Sequence, residues 1–304
     1  MPAPKTLICI VGPTAIGKTA LAIELAKAFD TEIISADSRQ FYKEMSIGTA
    51  VPSGEELSAV KHHFIQNKSI MDNYSVGDFE RDVLELLPEL FQKKDVVVLV
   101  GGSGMYVDAV VKGLDDFPVV APEIRKQLKD ELERCGIEYL QEQLREKDPV
   151  SFARIDLQNK QRLIRSLEIY RGTGKPYSSF LKQNVGQREF ETIYIGLSAE
   201  RDTVYARINE RVDQMIASGL IEEAKSLYSH RTLNALQTLG YKELFEWIDG
   251  NLTKEEAIAE IKKNTRRFAK RQGTWFRKNE AIHWYDYRTE PEEIITFLKE
   301  KKGL

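Results

Sequence analysis

Cysteine is scarce in this chain of 304 residues: Cys9 and Cys135 are the two. They stand in unrelated contexts without CxxC spacing, so neither a disulfide framework nor a zinc site is encoded. Long apolar runs are missing too. The longest, such as Val96 to Val100, fall far short of the roughly 18 residues a membrane-spanning helix needs, and no membrane association is expected. The N-terminal residues lead straight into the strand-like Leu7 to Val11 with no apolar leader or small-residue cleavage site, so the expected location is the cytoplasm. Charge of one sign is not in excess either, with 44 basic against 47 acidic residues and a net charge of -3, and the global number singles out no partner. No repeat or low-complexity tract is visible. What remains, with 42% hydrophobic and 30% charged residues, is a globular chain of roughly two average domains with a sizeable core.

The first hundred residues alternate short β-branched runs with helical stretches. Strands are expected at Leu7 to Val11, Glu32 to Ser35 and Val96 to Val100, with a helix from about Thr19 to Ala28. A second helix is expected near Phe79 to Gln92, where Val83, Leu86, Leu87 and Leu90 recur at helical spacing around Pro88. Continuous apolar strands separated by helices read as a parallel sheet covered on both faces, an α/β fold. After Phe117 and Pro118 the texture changes. Ile124, Leu128 and Leu132, then Ile137, Leu140 and Leu144, mark two amphipathic helices around Gly136. A further helix, Gln161 to Tyr170, ends at the breaker run 172–176. Residues 121–184 are therefore expected to form a helical insertion domain within a core built from 1–120 and 185–304. A strand returns at Thr192 to Leu197, the chain is helical from Asp202 to about Lys278, and Ile282 to Tyr285 is expected as a last short strand.

Gly12, Pro13, Thr14, Ala15, Ile16, Gly17, Lys18 and Thr19 match GxxxxGK[ST] between an apolar strand and a helix, the context that gives the pattern structural meaning. Backbone N–H groups at the helix N-terminus would surround a phosphate, with Lys18 adding a point charge and the Thr19 hydroxyl ligating Mg2+. Nucleotide hydrolases of this architecture usually carry a magnesium-binding acid at the end of a second apolar strand. Here Val96 to Val100 runs instead into Gly101-Gly-Ser-Gly104, which weakens the hydrolase reading. The acid stands elsewhere, at Asp37, delivered by a short strand to the carboxyl edge of the sheet, where ligands of open α/β sheets bind. An N-cap for a following helix is the other role open to it. His62 and His63 pair with no acid or metal spacing and read as structural.

Lys262 to Asn279 holds eight basic residues and no acid, the electrostatic footprint of a nucleic-acid surface. Phe268, Trp275 and Phe276 interleave with these charges, and core packing is expected for each.

With the phosphate loop, Ile34-Ser-Ala-Asp-Ser38 and Gly101-Gly-Ser-Gly-Met-Tyr106 in order, the chain closely resembles the bacterial tRNA dimethylallyltransferases, the tRNA isopentenyltransferase family. Ile47-Gly-Thr-Ala50, Gln161-Arg-Leu-Ile-Arg165, Arg211-Val-Asp-Gln-Met215, Leu239-Gly-Tyr241 and Ala269-Lys-Arg-Gln272 extend the resemblance over nearly the whole chain. Lys160, Ser103 and Met105 depart from the commoner Pro, Thr and Leu. The resemblance implies a P-loop NTPase-like core and transfer of a dimethylallyl group from dimethylallyl diphosphate to N6 of adenosine 37 of tRNA. It implies Asp37 as the base and Arg211 as a cation on the diphosphate, with Arg207 one turn earlier more often a solvated residue. It assigns RNA contact to Asp37, Ser38, Arg39, Gln40, Ser103, Arg125, Gln161, Arg162, Leu163, Ile164, Arg165, Thr238, Leu239, Gly240, Tyr241, Lys242 and Glu243. A monomer is expected. A P-loop small-molecule kinase with the insertion as its lid, or a nucleotide-gated RNA-binding protein, stands beside this reading; the first leaves the basic segment idle and the second forms no covalent product.

Overall fold

The computed structural model describes residues 4–181 and 188–302. Six parallel strands form one sheet: β1 (Thr6–Val11), β2 (Ile33–Ser35), β3 (His62–His63), β4 (Val96–Val100), β5 (Glu191–Ser198) and β6 (Ile282–Asp286), in the order β3-β2-β4-β1-β5-β6. The register pairs Ile8 with Val98 on one side of β1 and with Ile193 on the other. Alternate residues of β1 enter opposite cores. Ile8 and Ile10 pack with Leu21, Leu25 and Ile208, whereas Leu7, Cys9 and Val11 pack with Phe79, Val83 and Val107. Burial on both faces is why these strands read as unbroken apolar runs.

The helices of the unit that contains this sheet are α1 (Lys18–Ala28), α2 (Gly54–Ala59), α3 (Val76–Lys93), α4 (Gly104–Lys112) and, after the insertion, α9 (Arg201–Ala217) to α13 (Pro291–Lys302); those that follow α9 as far as residue 248 pack in a core of their own, with Tyr42, Met45 and Ile70. Pro88 lies inside α3, which nevertheless continues. Interior proline costs about 3 kcal/mol, but the reciprocal capping box of Ser75 and Asp78 and the buried stripe of Phe79, Val83, Leu87, Leu90 and Phe91 offset it. The expected helical tract from Asp202 resolves into α9, α10 (Leu220–Leu227), α11 (Tyr241–Ile248) and α12 (Lys254–Phe276). Three helices of this unit, α2, α4 and α13, have no counterpart among the expected elements. The helix α2 buries none of its residues, and α13 buries only Ile294 and Leu298, so neither carries a strong periodic signal.

Met1–Val111 with Arg188–Leu304 forms one compact unit and Lys112–Gln187 a second. The expected boundary at 184 falls outside the described residues. The second unit contains α5 (Pro122–Cys135), α6 (Ile137–Lys147), α7 (Pro149–Arg154) and α8 (Lys160–Thr173). Leu128, Leu140, Leu144, Leu163, Ile164 and Leu167 form its core. Buried Asp148 accepts from the N–H and Oγ of both Ser151 and Ser178, fixing the turn at Tyr177–Phe180. Arg171 clasps both carboxylate oxygens of Glu131 at 2.8 and 2.7 Å, tying α8 to α5.

Candidate active site

The carboxyl end of β1 opens into the phosphate loop. Gly17 takes φ 111° immediately before α1 and Ala15 takes φ 63°, conformations that turn successive amides toward one point. Lys18 folds over this loop, its Nζ donating to the Pro13 carbonyl at 2.7 Å. Burial pulls its ammonium down to about 7, the Arg211 charge adds to the fall, and the Asp37 carboxylate opposes it. Two cations reach the loop from α9. Arg207 Nε donates to the Ala15 carbonyl at 2.8 Å, and Arg211 approaches Thr14 Oγ1 at 3.4 Å. Arg211 is itself held below the usual guanidinium range by burial and by its neighbour Arg207, with Asp37 opposing. Arg207 is therefore part of this loop's surroundings and not a solvated side chain.

Asp37 follows β2 on a turn, and no helix begins there. Its Oδ1 accepts the Arg39 N–H at 3.0 Å, while its other oxygen accepts no hydrogen bond among the described residues. Phe41, fully buried and stacked 5.4 Å from Phe79, anchors the far side of the turn. The glycine loop after β4 supports the near side. The Ser38 N–H donates to Ser103 Oγ at 3.2 Å, and Ser103 Oγ donates to Ser38 Oγ at 3.3 Å. Charges of Lys18, Arg211 and Asp37 that act on one another thus meet at one sheet edge, although they come from three separate segments.

Several residues expected to touch RNA have internal duties. Leu163 and Ile164 are buried in the helical unit, and Tyr241 and Glu243 in the core unit, which corrects the expectation of side-chain contact for all four. Glu243 caps α11 through the Gly240 N–H and accepts from Asn264, so Gly240 is occupied as well. Tyr241 donates to Glu223 at 2.6 Å, and Glu223 in turn accepts the N–H groups of Ser46, Ile47 and Gly48. That carboxylate explains the 47–50 motif as a structural loop. Gln40 donates to the Thr49 and Ala50 carbonyls, and Arg39 to those of Asn234 and Ala235, so both position loops. Arg125 and Arg165 converge on the buried carboxylate of Glu168 at 3.2 and 3.0 Å, and Arg125 also donates to Gln161. Arg162 and Lys242 are exposed, and Thr238 and Leu239 half-buried.

Three features of the site were not anticipated. Gln272 of α12, only 6% exposed, accepts the Thr14 N–H and donates to the Gly102 carbonyl, both at 2.9 Å. Trp275 is 42% exposed, which corrects its expected place in the core; its Nε1 donates to Asp108 at 2.9 Å and its ring lies against Gly104. The basic run is divided: Lys262 pairs with Asp213, Lys263 with Glu260, and Arg266 donates to Asn209, while Arg267, Lys270 and Arg271 form an exposed stripe along α12. No cluster of three or more His, Cys, Asp or Glu able to hold a metal occurs among the described residues. A cation here would need phosphate oxygens among its ligands, the usual situation for magnesium.

A parallel sheet with a phosphate loop after β1, a cation pair above it and a carboxylate after β2, the next strand but one, defines a P-loop NTPase-like protein of the group-transferring kind. The family model for IPP transferase matches residues 40–279. The tRNA dimethylallyltransferases of Flavobacterium johnsoniae and Christiangramia forsetii are 56% and 58% identical to this chain, each alignment covering 97% of it and 98% of the relative. The solved tRNA isopentenylpyrophosphate transferase of Bacillus halodurans is 40% identical with a TM-score of 0.73, covering 98% of this chain and 97% of that one. A eukaryotic dimethylallyltransferase acting on tRNA superposes with a TM-score of 0.84 at 25% identity, over 98% of this chain and 80% of its own. The chain belongs to the IPP transferase family.

Proposed function

We propose that this protein transfers a dimethylallyl group from dimethylallyl diphosphate to N6 of adenosine 37 in tRNA, releasing diphosphate. The observation that carries the reading is the meeting of the Lys18 and Arg211 charges with that of Asp37, an anion cradle beside a carboxylate with a spare oxygen. The exocyclic amine is a weak nucleophile. As its nitrogen bonds to C1 of the allyl group, its proton passes to Asp37, and the C1–O bond breaks with its electron pair on the departing diphosphate. Loop amides, Lys18 and Arg211 receive that charge, in a setting preorganised for the anion. Magnesium held through the Thr19 hydroxyl and the diphosphate oxygens would neutralise part of the leaving-group charge. The target base must leave the anticodon stack, at a cost of a few kcal/mol that contacts in the site offset. The helical unit, with exposed Gln161 and Arg162, supplies part of the RNA surface in this reading.

Mass spectrometry of tRNA nucleosides, after incubation with protein and dimethylallyl diphosphate, tests the assignment. An adenosine heavier by one dimethylallyl group is expected, with none when ATP replaces the prenyl donor. Phosphoryl transfer from ATP without prenylation would restore the kinase reading.

The exposed stripe on α12 gives a second test. Replacing Arg267, Lys270 and Arg271 with Gln is expected to raise the apparent KM for tRNA and to leave the single-turnover rate at saturating tRNA nearly unchanged, because side chains on phosphates position the RNA without touching the amine. The slope of log affinity against log salt should flatten by about 0.7 to 0.9 for each phosphate no longer neutralised. Parallel salt plots for the two proteins would remove the stripe from the RNA surface.

A further inference from the structure

Between the phosphate loop and the glycine loop stands one buried amide. Gln272 lies on α12 beside the exposed Arg271 but points inward. Its Oε1 accepts the Thr14 N–H and its Nε2 donates to the Gly102 carbonyl, each at 2.9 Å. A carboxamide suits this place because it offers one acceptor and one donor fixed at opposite corners of a plane. A carboxylate would present a second acceptor to the Gly102 carbonyl, and an apolar side chain would satisfy neither backbone group. Glycine at 102 leaves room for this amide, since a Cβ there would stand 2.2 Å from Nε2 and push it aside. From Gly102 the connection continues to Ser103 and through it to both the N–H and the Oγ of Ser38, next to Asp37. Thr14, at the other end, also meets Arg211. One side chain thus joins the residues around the leaving group to those that hold the base.

We propose that Gln272 is a positioning residue for prenyl transfer, setting the spacing between the phosphate loop and the turn that carries Asp37. This rests on the function proposed above. Nucleophile, allylic carbon and leaving group must align while the base reaches the amine proton, and a displacement of the order of 1 Å can cost about 10²-fold in rate. The sheet fixes the strand ends, since Ile10 and Ser35 both pair with Val100, but beyond them the loop that holds the diphosphate and the turn that holds Asp37 belong to different βα connections, and Gln272 is the side chain that bonds across from the first to the glycine loop supporting the second. Because the bridge comes from α12, the helix with the exposed basic stripe also sets this spacing.

Gln272→Met keeps the volume and removes both hydrogen bonds. Its single-turnover rate at saturating substrates is expected to fall by about 10- to 100-fold, with dimethylallyl diphosphate affinity changed less than about threefold. The same substitution in an Asp37→Asn background should lower the residual rate by less than about threefold, because a residue that acts by placing the base has little left to place. A merely structural role would lower thermal stability and reduce the rate by the same factor in both backgrounds. Gly102→Ala drives a methyl group into Nε2 and should reproduce both the rate loss and its disappearance with Asp37→Asn, which keeps the test decisive should Gln272→Met fail to fold. A wild-type rate in Gln272→Met, or equal losses with and without Asp37, would overturn the positioning role while the wild-type protein still prenylates tRNA. Absence of prenylated product with the wild-type protein would instead overturn the function itself, and this role with it.

Discussion

Asp37→Asn is expected to lower the single-turnover rate of transfer by about 10²- to 10⁴-fold, the range typical of a lost general base. Binding of dimethylallyl diphosphate should change little. The substitution keeps the length of the side chain and an oxygen able to accept the Arg39 N–H, which Asp37 Oδ1 now receives at 3.0 Å. The turn should therefore survive. What disappears is the oxygen that holds no hydrogen bond among the described residues and is available to the amine proton. Rapid-quench measurement at saturating tRNA and prenyl donor separates this from a binding defect. A near-normal rate in the variant would confine Asp37 to shaping the turn.

Lys18→Met should be nearly as damaging, by about 10² to 10³, the loss seen when one preorganised donor to a developing anion is removed. In contrast to Asp37→Asn, it should weaken diphosphate binding as well, since the ammonium is engaged both before and during bond breaking. A pH signature accompanies it. In the unliganded protein burial and Arg211 bring Lys18 down to about 7 from 10.5, so above neutrality the side chain is largely uncharged and must take up a proton to hold the anion. Diphosphate affinity should therefore fall as pH rises from 7 to 9, by up to about tenfold per unit. That fall should be absent from Lys18→Met once the titration of the diphosphate, common to both proteins, is divided out. The sign for stability is opposite. The unfolded chain keeps this proton up to about 10.5 while the fold releases it near 7, so the contribution of Lys18 to unliganded stability improves as pH rises through that window. Calorimetry in buffers of different ionisation enthalpy counts the proton uptake directly. Zero uptake at pH 8 would contradict a Lys18 that is neutral before binding.

Glu223 and Gln40 show what the motif at 47–50 does in the fold. In the run Ile47 to Ala50 the N–H groups at Ile47 and Gly48 are taken by Glu223 and the carbonyls at Thr49 and Ala50 by Gln40. Both side chains act on backbone, and Gln40, which also accepts from Ser35 Oγ, ties the 49–50 segment to the end of β2.

What the sequence by itself determined is local. The apolar runs of β1 and β4, the phosphate loop between β1 and α1, the strand end that delivers Asp37, and the basic run of α12 are each written in consecutive residues or in one helical period. Steric limits on the backbone and burial of one face act over that range. The tertiary structure decided which side chains from distant segments meet. Gln272 reaches Thr14 across 258 positions and Gly102 across 170, and Arg207 and Arg211 reach the loop across 192 and 197. It also decided that Leu163, Ile164, Tyr241 and Glu243 face inward and that Trp275 faces outward. A helical period says that a stripe is buried without saying what covers it. Trp275 lies in the same apolar pattern as Phe276, but close approach to Gly104 and a hydrogen bond to Asp108 hold its ring at the surface. The two-residue strand β3 is likewise tertiary, because His62 and His63 have no strand pattern of their own and pair only because β2 lies alongside.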